Sequence, residues 1–121
     1  MSANGYDAYG NTHKETLKGR ALEGEAFMKA ARLLRQAQDF PDNKRQWREA
    51  VEYCRKLWMI VDADMKTPHH HLDATIRENL LALCGYVEDQ CVAAKKKPHP
   101  QMLQGLIDVN SEIARGLLGA G

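Results

Sequence analysis

No window of this sequence approaches the roughly 20 consecutive apolar residues of a membrane-spanning helix. Its hydrophobic residues, 44% of the total, fall instead into short periodic groups. A bias toward one sign of charge is also missing: 17 Lys and Arg face 16 Asp and Glu, for a net charge of +1. So balanced a chain projects no strong field toward phosphate backbones or anionic lipid. Cysteine is scarce. Cys54, Cys84 and Cys91 are odd in number and lack small-scaffold spacing, which points to reduced thiols in the cytoplasm rather than a disulfide framework. Cys84 and Cys91, the nearest pair in sequence, would lie about 10.5 Å apart along a helix axis, beyond disulfide reach. Met1 to Gly10 is polar and small, with neither a basic start nor an apolar run, so no secretory signal is expected.

Signatures of catalysis are equally absent. The chain has no Gly-rich phosphate loop, no G-x-S-x-G elbow, no HExxH and no EF-hand pattern. His69, His70 and His71 are adjacent in a connector and cannot all converge on one ion, so no metal and no cofactor is expected. Asp62 with Asp64, and Glu88 with Asp89, do not face each other at one- or two-residue spacing on a helix; they read as solvated faces. An enzyme is therefore not expected.

What is present is helical periodicity. The first helix is predicted from about Lys14 to Gln38, with Leu17, Ala21, Met28, Ala31 and Leu34 as its core stripe and Phe27 at the edge. Asn43 followed by Gln46 reads as a capping box opening a second helix that reaches about Lys66. There Trp47, Val51, Cys54, Trp58, Val61 and Met65 form one narrow stripe. Asp73 restarts the chain as an N-cap, and Ile76, Leu80, Leu83, Val87 and Cys91 mark a third helix closed by Lys95, Lys96 and Lys97. A fourth runs from about Pro100 to Leu118, with Leu103, Leu106, Ile107, Ile113, Ala114 and Leu117 on one face. The expectation is an all-α fold, a compact bundle or array of about four helices. It forms a single domain over residues 13–121, preceded by a flexible arm over 1–12.

Three features bear on function. Asn110 interrupts the apolar stripe of the fourth helix; a buried amide must find partners, so it is expected to fix helix register. Leu22, Leu33, Met59 and Leu81 lie off the core stripes, as do Ile60 and Val92. If several of these shared a groove, it would suit an amphipathic partner helix. Lys44, Arg45 and Arg48, with Lys95 to Lys97, form basic clusters, but with no Gly-rich loop and with acids in nearly equal number nucleic-acid contact is not favoured.

Arg55-Lys56-Leu57-Trp58 with Asp64, Leu72 before Ile76 and Arg77, and Leu106-Ile107-Asp108-Val109-Asn110 followed by Ile113, Gly116 and Leu117 form an ordered set of motifs. In order and spacing they resemble the FlaF family of flagellar-biosynthesis regulators. Tyr9, Arg20 and Glu23 match upstream. The chain departs from the family pattern at His70 and Asp73, where Asn and Pro are frequent, and at Tyr86, where Trp is frequent. The resemblance implies a small cytoplasmic helical protein of alphaproteobacteria. Such a protein is required for flagellum assembly, is linked to flagellin synthesis and secretion, and binds flagellin. It brings no catalytic residue, and Trp58, Asp64, Asn110, Gly116 and Leu117 are read as structural.

A flagellin-binding regulator or export chaperone is the leading expectation, with Leu22, Leu33, Met59 and Leu81 as contacts. The alternative is a post-transcriptional regulator of flagellin mRNA, acting through the basic clusters or through a second regulatory protein such as one of the FlbT type.

Overall fold

The computed structural model describes residues 9–68 and 73–118, with side chains from residue 23 onward. Among these the chain forms α1 (Tyr9–Asp39), α2 (Lys44–Met65), α3 (Ala74–Lys96), a 3-10 turn (Pro100–Leu103) and α4 (Gln104–Leu117), and no strand. The all-α expectation holds. The caps also sit where the residue pattern places them: Asn43 accepts from Gln46 N at 3.0 Å, and Asp73 accepts from Thr75 N at 2.7 Å.

Two boundaries differ. α1 starts at Tyr9 rather than Lys14, so residues 9–12, expected in the arm, are helical; no proline interrupts them, and weak propensity alone does not stop a helix. Residues 1–8, and the connector containing His69 to His71, lie outside the described residues. The first turn expected of the last helix is instead a 3-10 turn, opened by Pro100, with His99 Nδ1 accepting from Gln101 N at 3.3 Å.

α1 lies between α2 and α4, and α3 packs along α2. The α2–α3 pair is antiparallel, as its contacts show in sequence: Trp47 with Ala94, Arg55 with Glu88, Trp58 with Cys84 and Met65 with Arg77. By contrast, α3 and α4 make no extended contact along their lengths, and α3 reaches the last segment mainly at the 3-10 turn.

The core stripe of α1 is Phe27, Ala30, Ala31, Leu34 and Ala37. Met28, expected in that stripe, is 49% exposed, and Phe27, expected at its edge, is buried. The helix is rotated by about one residue because Phe27 packs edge-on to Trp58, with ring centroids 5.5 Å apart. The alanines then let α2 and α4 approach closely. In α3, Val87 and Cys91 are buried as expected, together with Cys84 and Ala94, but Ile76 is 48% exposed because nothing from α4 covers the first turns of α3. Two glycines answer to packing. A Cβ at Gly24 would sit 2.6 Å from Leu118 Cγ, and one at Gly105 would strike the Tyr86 hydroxyl.

Candidate functional site

At the centre of the bundle Trp58 Nε1 donates to Asn110 Oδ1 at 2.9 Å. The Asn110 amide nitrogen donates in turn to Leu106 O at 2.8 Å and to Cys54 Sγ at 3.4 Å. The Cys54 and Cys91 thiols interact across the α2–α3 seam, and that contact together with burial pushes the Cys91 thiol above its ordinary range. Every polar atom of the Asn110 side chain is thus engaged within the protein, and α2, α3 and α4 are locked in register. All three cysteines are buried free thiols.

The outer face of the α2–α3 seam is different. Arg55 bridges to Glu88 through two hydrogen bonds of 2.9 and 2.8 Å, and the guanidinium holds the Glu88 carboxyl below its usual range. Beyond this bridge a groove opens, floored by Trp58, Cys84 and Val87 and walled by Met59, Asp62 and Gly85. Met59 is 57% exposed, and its neighbour Ile60 is 68% exposed. A Cβ at Gly85 would meet nothing within 4 Å. Glycine inside a helix costs roughly 0.5–1 kcal/mol relative to alanine, and no internal contact accounts for it here. A bare stretch of backbone beside an exposed methionine leaves room for a partner to approach closely.

The four expected contact residues do not all meet. Met59 lines the groove, and Leu81, partly buried, stands one turn before Gly85 on α3. Leu33 lies elsewhere, half-buried against the core. The side chain of Leu22 lies outside the described residues. Of the motif residues, Trp58 and Asn110 are buried, Leu117 packs against the core, and Asp64 and Gly116 are exposed. A Cβ at Gly116 would meet nothing within 4 Å, so core packing does not explain that glycine either. Gly85 escaped the residue pattern, although a glycine in mid-helix was the signal that could have drawn attention to it.

A second shallow depression, between α1 and α2, is lined by Met28, Arg32 and Tyr53 and occupied by Lys29, whose Nζ lies 4.9 Å from the Tyr53 ring centroid. Among the described residues no group of three or more His, Cys, Asp or Glu is placed to hold a metal ion. Nor is any helix among them long and apolar enough to cross a membrane.

Fold and surface together define a small helical-bundle protein with an open apolar groove. The chain belongs to the FlaF family: the family model for flagellar protein FlaF matches residues 6–117, nearly the whole chain, which makes this a flagellar protein. No curated protein and no solved structure matches it.

Proposed function

We propose that this protein binds flagellin before export, shielding its apolar segments and coupling flagellin synthesis to secretion. The observation that carries this reading is the α2–α3 groove, where exposed Met59 stands opposite the bare backbone of Gly85. Family membership supplies the flagellar context. The terminal segments of flagellin are amphipathic and unfolded before assembly, so a groove of this kind would bury their apolar face and delay polymerisation. Methionine suits such a task, because its unbranched, polarisable side chain adapts to irregular apolar partners. Leu81, one turn before Gly85 on α3, would extend the contact.

The test is to mix the purified protein with flagellin monomer and measure the mass of the complex by light scattering on a sizing column, at low and at high salt. A complex that persists at high salt, and that Met59→Glu abolishes, is expected from apolar contact. No complex at either salt would discard direct flagellin binding.

A further inference from the structure

Two basic clusters far apart in sequence meet at one end of the bundle. Trp47 Nε1 donates to Ala94 O at 3.0 Å in the interior, and Gln38 Nε2 donates to Pro100 O at 3.1 Å. These two bonds tie the turn between α1 and α2 to the end of α3. Lys44 and Arg48 follow each other at one-turn spacing on α2, next to Glu52, which holds Lys95 at 2.7 Å. Lys96 and Lys97 stand immediately beyond.

The acids at this end are Asp39, Asp42, Glu49, Glu52 and, one turn into α4, Asp108, which accepts from Gln104 at 2.9 Å. Arg45 pairs with Glu49 at 3.0 Å and Lys95 with Glu52, which leaves Lys44, Arg48, Lys96 and Lys97 without an ion pair among the described residues. Lys44 and Arg45 also occupy the first turn of α2, where there is no acid and where the helix dipole disfavours cations. Folding therefore does not ask for them there. Beside them, in the turn, Phe40 is 64% exposed, and its carbonyl accepts from Asn43 N at 3.0 Å. Trp47, the aromatic between Arg45 and Arg48 in sequence, is buried, so Phe40 is the aromatic these charges have beside them at the surface.

We infer that this end of the bundle, formed by Phe40, Lys44, Arg48, Lys96 and Lys97, binds a single-stranded nucleic acid. Unpaired cations meet the phosphates while the Phe40 ring offers a face on which an unpaired base stacks. An acidic peptide would satisfy the cations but would leave the phenyl ring without a use. Met59 lies about three turns beyond Arg48 along α2, so this surface is separate from the proposed flagellin contact.

Fluorescence anisotropy with a labelled uridine oligonucleotide of about ten nucleotides tests the inference. Binding is expected at about 50 mM salt, weakening as salt rises with a log–log slope of about −0.7 for each phosphate contacted. The pair Lys44→Glu with Arg48→Glu, and separately Lys96→Glu with Lys97→Glu, should each lower affinity about tenfold or more. Phe40→Ala should lower it about fivefold or more while leaving the binding of inorganic polyphosphate unchanged. Met59→Glu should leave the oligonucleotide affinity as it is. All the substituted side chains are exposed, and circular dichroism checks that each variant folds. Any of three results would overturn the inference: no binding at low salt, charge reversals without effect, or displacement by poly-glutamate as readily as by unlabelled strand with Phe40→Ala neutral.

Discussion

Trp58 and Asn110, on α2 and α4, are joined by a buried hydrogen bond of 2.9 Å from the indole N–H to the amide oxygen. The bond settles helix register, because sliding either helix by one turn would leave both polar groups in an apolar interior. Asn110→Ala leaves the Trp58 N–H buried and unpaired, and is expected to destabilise the fold by about 2–3 kcal/mol. Trp58→Phe in turn leaves Asn110 Oδ1 buried without its donor, because the Leu106 contact is made by the amide nitrogen, and should cost a similar amount at this bond. Urea unfolding of both single variants and the double variant measures this. The double should be less destabilised than the sum of the singles, by about 1 kcal/mol.

Gly24, Gly85, Gly105 and Gly116 separate into two kinds by what a side chain there would meet. Gly105→Ala forces the Tyr86 ring away from α4 and should loosen the α3–α4 junction, read as a lower melting temperature and a changed tyrosine environment. Gly85→Ala meets no neighbour and should raise stability by about 0.5–1 kcal/mol. If the groove is the flagellin contact, the same substitution should weaken that complex. A variant more stable than the parent yet poorer at binding is a result that a purely structural glycine does not produce.

Thiol ionisation sets the alkaline limb of stability. Burial, assisted by the nearby Asp62 charge, pushes the Cys84 thiol up to about 11 from its ordinary 9.0. Between these values the unfolded chain loses the proton while the folded protein keeps it, so stability falls as pH rises. Cys91 is shifted in the same direction. Urea midpoints should therefore drop between about pH 9 and pH 11, and Cys84→Ala should flatten the drop. Iodoacetamide should label none of the three buried thiols in the native protein faster than the chain opens.

On the acid side, Arg55 holds the Glu88 carboxyl low and Lys95 does the same for Glu52. The stability these pairs add is present above the ordinary carboxylate range and is lost as pH falls through the lowered folded values. Both pairs are partly exposed, so the effect should be small and should shrink with added salt. Glu88→Gln should remove part of the acid dependence without unfolding the protein.

Much of the fold was legible along the chain because its helices are amphipathic and their ends are marked by local chemistry. Asn43 and Asp73 act on residues two or three positions away, and Pro98 and Pro100 stop a helix through their own rings. The α2 stripe from Trp47 to Met65 was readable for the same reason. Asn110 stood out as the polar residue in an apolar row. The rotation of α1 was not readable: periodicity places Met28 and Phe27 on adjoining arcs, and the contact with Trp58 chose between them.

The sequence by itself determined the all-helical class, the caps and breaks between the helices, the need to satisfy a buried asparagine, and the family to which the chain belongs. All of these rest on periodicity, on neighbours a turn apart, or on the order of motif residues. Only the tertiary structure decided which partner Asn110 takes, and that α4 meets α3 at Gly105 and Tyr86 but leaves Ile76 uncovered. It alone set Met59 opposite Gly85 and gathered Phe40, Lys44 and Lys96 at one end. Those relations join residues on different helices, and they are set by how side-chain volumes pack across the interfaces, which no local pattern encodes.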